Sequence, residues 1–119
     1  MMDPGKDLDC EIARKVFRYV VMIDTDGTPQ IRDRKTRTNQ KVPPYSTDTN
    51  ISHDVVSRLK KVGCTFNIKN DVEDGQIVWT AQIRHPKLAG LMISSKGKTL
   101  PHAICLATLQ FVKLFDIGE

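Results

Sequence analysis

His102 and Cys105 stand three residues apart in the apolar run "LPHAICLATLQFVKLF", a spacing that sets two metal-ligating side chains on one helical face. No second pair completes a tetrahedral set, because Cys10, Cys64, His53 and His85 are scattered without ligand spacing. A buried cysteine and a histidine at a helix start is the favoured reading. "DTDG", Asp24 to Gly27, begins like a calcium loop but lacks the later ligands and the closing glutamate, so it reads as a turn. "SSKGKT", Ser94 to Thr99, ends like a phosphate-binding loop, but Met92 stands where that motif requires glycine. An ATPase is excluded on that ground. What remains is a turn in which Lys96, Lys98 and the free amides of a helix capped by Thr99 could gather an anion. No serine or cysteine sits in a nucleophile motif and no paired carboxylates stand out, which argues for a protein without catalysis and without a cofactor.

Charge narrows the binding options further. The chain has a net charge of +4, and the segment "RDRKTRTNQKVPP" from Arg32 to Pro44 carries all of it: Arg32, Arg34, Lys35, Arg37 and Lys41 face Asp33 alone. The positive charge is therefore one polar loop rather than a basic body, and such a loop either attracts anions or is simply solvated. "PPYSTDTNIS" follows directly. Ser46, Thr47 and Asp48 can each accept from the first amides of a following helix, and Tyr45 can pack back on its first turn. One residue suffices for a cap, so Tyr45, Ser46 and Thr47 are also candidates to hold an anion beside the basic loop at the positive end of that helix.

The elements that must position these residues follow from periodicity. Leu8, Ile12, Val16 and Val20 with Ala13 and Phe17 predict a helix over about Asp7 to Arg18. Tyr19 to Ile23 has strand composition, and a turn through Asp26-Gly27 leads to a short return strand at Gln30 to Arg32. A loop, 32–44, precedes a second helix marked by Ile51, Val55, Leu59 and Val62 and stopped by Gly63. Alternation then predicts strands around Cys64, Phe66 and Ile68, and around Ile77, Trp79, Ala81 and Ile83, with the turn at "NDVEDG" between them. "LMISS" makes a short third strand. The final helix has an apolar face so broad that it is either largely buried or shared with a partner, a second copy among the candidates.

The expected fold is α+β: one domain over residues 1–119, a small α/β sandwich with an antiparallel sheet of three to five strands packed with three helices. Cys10, Cys64 and Cys105 lie on apolar periodic positions, as buried reduced thiols do. Met1 to Asp7 is polar without the apolar core of a signal peptide, and no apolar run approaches the roughly 20 residues of a membrane span. A cytoplasmic protein is expected.

"LDCEIARKVF", "PPYSTDTNISHDVVSRL", the lone Trp79 and "TLPHAICLATLQFV" together resemble the phage ABA sandwich domain, across most of the chain and in the family's order. Where that family commonly carries a tryptophan in the helix after YSTD, this chain has His53, and the basic loop is peculiar to it. The resemblance implies a phage or prophage origin and an α/β sandwich, with no shared activity attached. The resulting expectation is an accessory protein of a bacterial host's cytoplasm that acts by stoichiometric binding, to a host defence protein or to a small phosphorylated or nucleotide signal. The alternative is nucleic-acid binding, since the stretch from Ile51 has the helix, three-strand, helix order of a double-stranded RNA-binding domain. The last helix offers only Lys113 near its far end, so weak nonspecific nucleic-acid binding is expected.

Overall fold

The computed structural model describes residues 2–32 and 36–115. Helix α1 spans Lys6–Lys15, with Asp7 and Asp9 in its first turn and Arg14 and Lys15 in its last, each sign opposing the helix dipole. Strands β1 (Val20–Ile23), β2 (Pro29–Arg32) and β3 (Asn39–Lys41) form an antiparallel sheet in that order. Helix α2 spans Thr49–Lys61. Strands β4 (Thr65–Glu73), β5 (Gln76–Arg84) and β6 (Met92–Gly97) form a second antiparallel sheet, and helix α3 (Leu100–Leu114) closes the order. A short 3-10 turn, Pro86–Leu88, joins β5 to β6. The architecture is α+β, a small α/β sandwich, and its strands are divided between two three-stranded sheets among the described residues.

Local chemistry sets the boundaries. Asp48 caps α2, its Oδ1 accepting from the amides of Asn50 at 2.9 Å and Ile51 at 3.2 Å. At the other end Gly63, with φ of +101°, lets its own amide reach the Lys60 carbonyl and that of Cys64 reach Leu59. Helix α1 stops earlier than the periodicity predicts, at Lys15, because the chain reverses at Arg18, whose φ is +61°. Three further boundaries correct the sequence reading. Strand β4 runs on to Glu73, so the turn is only Asp74-Gly75, both at positive φ as a two-residue hairpin requires. Strand β6 continues past Ser95 through Gly97, which moves Lys96 and Gly97 out of the expected lysine turn and into the sheet. Within the expected loop 32–44, β3 pairs with β2. All three of its side chains are exposed, so no apolar alternation marks it.

Helix α3 is the centre of the core. Every residue from Pro101 to Leu109 is buried, with β5 and β6 on one side and α1 and α2 on the other. The broad apolar face is thus largely filled within the chain from Pro101 to Leu109, while Leu114 in the last turn is 63% exposed. Leu8, Ile12 and Val16 of α1, Val55 and Leu59 of α2, and Ala81, Ile83 and Ile93 of the larger sheet pack in the same cluster, which Ile31 joins from β2. Gly97 admits the helix: a Cβ there would lie 2.5 Å from the Ala103 amide nitrogen. Trp79 is half-buried on the inner face of β5, so its truncation costs less than the roughly 3–5 kcal/mol of a fully enclosed ring.

Candidate functional site

The YSTD segment is a joint between helices. Tyr45 is 3% exposed, its ring stacked on Phe17 at 5.1 Å, and burial holds its hydroxyl proton well above the ordinary range. Ser46 is fully buried and turns to α1: its amide and its Oγ both donate to Asp9 Oδ1, at 2.7 and 2.6 Å, while its Oγ accepts from the Gly5 amide at 2.9 Å. Burial raises the Asp9 carboxyl above its usual value, a shift that the Ser46 bonds only partly offset. Asp48 alone caps α2; Thr47 is exposed. The expectation that Ser46, Thr47 and Asp48 share one helix end is therefore corrected. Two of the candidate ligand groups, Tyr45 and Ser46, are enclosed between elements, where an anion would have to displace the core.

The lysine turn is likewise engaged. Lys96 points outward from β6, and its Nζ lies 2.6 Å from Glu73 Oε1, which raises its pKa. Lys98 Nζ is 3.5 Å from Asp3 Oδ1. At the start of α3, the amide of Lys98 donates to His102 Nδ1 at 3.0 Å, Thr99 Oγ1 accepts from the His102 amide, and the Thr99 carbonyl accepts from that of Ala103. Pro101 has no amide hydrogen to offer. Lys96 and Lys98 are thus paired with carboxylates at the surface, and the amides of Lys98, His102 and Ala103 are bonded within the chain.

The basic segment behaves differently. Arg32 ends β2, Lys41 ends β3, and Arg37 lies in the connection at φ of +57°; all three are exposed. Arg34 lies outside the described residues. The register pairs Val20 with Arg32 and Met22 with Gln30, then Arg32 with Asn39 and Gln30 with Lys41. Directly paired residues share a face. One face of the small sheet therefore carries Val20 and Met22 on β1 and the cations Arg32 and Lys41 beside them, while Pro29 and Ile31 point to the core. Among the described residues, none of Arg32, Arg37 and Lys41 belongs to a salt bridge.

The remaining reactive groups are structural. Cys10, Cys64 and Cys105 are free and buried, and burial pushes their thiols up, Cys64 to about 11 and Cys105 beyond the ordinary range. His102, fully buried, accepts from the Lys98 amide at Nδ1 and reaches the Met2 carbonyl through Nε2 at 2.8 Å, so the His102–Cys105 pairing does not present a free ligand face. His85 is held the same way, accepting from the Lys87 amide and contacting the Val62 carbonyl, with its ring 4.4 Å from that of Phe115. Sequence reasoning missed the anchoring roles of His85 and Asp9. Each depends on a partner distant in the chain, and no local pattern signals it. No group of three His, Cys, Asp or Glu among the described residues is placed to hold a metal ion. No helix among them is long and apolar enough to cross a membrane.

Compared with known proteins, the chain matches no family model, no curated protein and no solved structure.

Proposed function

We propose that this chain is a non-enzymatic binding protein whose small sheet takes an acidic surface of a partner protein. The observation that carries the reading is the contrast among its cations: Lys96 and Lys98 are paired at the surface with Glu73 and Asp3, whereas Arg32, Arg37 and Lys41 are exposed and outside the salt bridges of the described residues. Beside them on one face lie Val20 and Met22, and an apolar strip edged by cations is the composition of a protein interface rather than of a small-ligand pocket. The motif resemblance supplies the setting. A phage or prophage accessory protein of this kind would inhibit antiviral defence by occupying a host defence protein in the cytoplasm.

Two other occupants are separated from this one by the same experiment. The double variant Arg37→Glu, Lys41→Glu keeps the fold, since exposed charges contribute little to stability, and loses the partner. The partner captured from host lysate by the wild type should be released by raised salt and missed by the variant. Calorimetric binding of a cyclic nucleotide or an ADP-ribose derivative, lost in the variant, would replace the protein partner with a sequestered signal. Nucleic acid is the third reading, favoured by the observed order α2, β4, β5, β6, α3. Against it, the hairpin tip carries Asp71, Glu73 and Asp74, and the start of α3 is buried. Tight, salt-resistant binding of a duplex would overturn the proposal.

A further inference from the structure

The larger sheet has an edge that no further strand covers among the described residues. Strand β4 lies at the end of the order β4-β5-β6, is nine residues long, and contains no proline. Its inner-face residues, Phe66, Ile68, Asn70 and Val72, include no charge. Natural edge strands are usually kept from pairing by shortness, proline, charged side chains along the edge, or a charge turned inward. Of these, β4 has only outer-face charges, Lys69, Asp71 and Glu73, which are of both signs and so can complement a second strand. A further guard is local: Asp71 Oδ1 accepts from the Val72 amide at 2.8 Å in an exposed hydrogen bond. That bond also shows that the Val72 amide points away from β5, so by alternation the amides of Phe66, Ile68 and Asn70 face the same free edge.

The same strand leaves apolar surface uncovered. Strand β6 ends at Gly97, opposite Trp79, so the hairpin beyond that point is two strands wide. Val72 and Ile77 are paired across it on the inner face and are 65% and 59% exposed.

We propose that the occupant of this edge is a second copy of the chain, with β4 paired antiparallel to β4 about a two-fold axis at Asn70. The charges choose the register. With Asn70 opposite its own copy, Lys69 lies opposite the second copy's Asp71 and, by symmetry, Asp71 opposite its Lys69. Ile68 lies opposite the second copy's Val72. Moving the axis by one residue sets Lys69 against Lys69, or Asp71 against Asp71, and like charges directly opposite are destabilising. The backbone agrees with this choice. Asn70, Ile68 and Val72 are the residues whose amides face the edge, so their pairs are hydrogen-bonded, and the Lys69–Asp71 pairs fall at the narrow positions where side chains approach most closely. On pairing, Asp71 exchanges its bond to the Val72 amide for the second copy's Lys69. The exposed Val72 moves beside the half-buried Ile68 and Phe66 of the second copy, and the two three-stranded sheets become one continuous sheet. This interface is isologous, closes on itself, and uses none of the basic residues of the small sheet.

Sedimentation equilibrium over a wide concentration range tests it. The wild type should approach twice the 13.4 kDa of one chain. Lys69→Asp should weaken that dimer by about tenfold or more, through two symmetry-related contacts, with circular dichroism unchanged. The charge swap Lys69→Asp, Asp71→Lys should restore it. Amide exchange of the wild type, read at Phe66, Ile68 and Asn70, should slow as concentration rises, which needs no variant to fold. A wild type that stays monomeric, a dimer indifferent to Lys69→Asp, or a loss that the swap does not repair would each overturn the proposal.

Discussion

The two sheets have the same topology, three antiparallel strands joined by two hairpin connections, yet they stand in different relations to the core. The larger one has strands of nine, nine and six residues, and α3 lies against β5 and β6 along its inner face. The smaller has strands of four, four and three residues and sends only Pro29 and Ile31 fully inward. In the larger sheet β5 and β6 are fixed by what they bury, and β4, half-buried only at Phe66 and Ile68, by pairing along β5; in the smaller, β3 is fixed by backbone pairing to β2 alone. Burial gives a sheet its stability, and freedom from burial gives it surface for a partner. The binding surface proposed for the small sheet rests on that contrast. It also explains why the far end of the β4–β5 hairpin, beyond the reach of α3 and β6, behaves like surface although it belongs to the stable sheet.

The largest test of that contrast is Phe111→Ala. Phe111 is fully buried and stacks at 5.1 Å on Phe115. Its truncation should cost about 3–5 kcal/mol in urea unfolding, with protection of β4 to β6 and of the helices falling together. Ile31→Ala should cost less, near the low end of the about 2–5 kcal/mol of a buried isoleucine. It should strip amide protection from β1 to β3 while β4 to β6 keep theirs. Equal loss in both sheets would show that the small sheet is as tightly built into the core as the large one.

The smallest effect comes from the joint between the regions. Asp9 is raised above its ordinary value by burial, so between about pH 3.9 and its native value the folded state holds a proton that the unfolded state has released. Stability from this group is therefore fully present below that window, declines as pH rises through it, and is flat above. Asp9→Asn keeps an oxygen for the Ser46 amide and removes the titration. The urea midpoint of the wild type should fall relative to that of the variant across the window, and parallel curves would place the Asp9 carboxyl in solvent.

How much was legible depends on whether a signal is local. The end of α2 was legible, because a terminal glycine acts within its own turn, whereas at its start Ser46, Thr47 and Asp48 were equal candidates until the burial of Ser46 against Asp9 left Asp48 as the cap. The β5 alternation of Ala81 and Ile83 was legible, because one face is buried. Strand β3 was not: Asn39, Gln40 and Lys41 are held by main-chain bonds whose partners carry no mark in their side chains. At the candidate site, the clustering of Arg32, Arg37 and Lys41 was visible as composition. Their alignment with Val20 and Met22 on one face was not, because register is set by pairing across the chain.

The sequence by itself determined the α+β class, the three helices, the concentration of positive charge in one segment and the want of a complete catalytic or metal motif, since each follows from residue type and spacing along the chain. Only the tertiary structure decided which polar groups are engaged. Ser46 bonds Asp9 from 37 residues away, and His102 reaches Met2 from 100 residues away. In the sequence those side chains have the same standing as Arg37 and Lys41. Burial and long-range hydrogen bonds separate them, because a polar group enclosed by the fold must find a partner there, whereas one left in water remains available to another molecule.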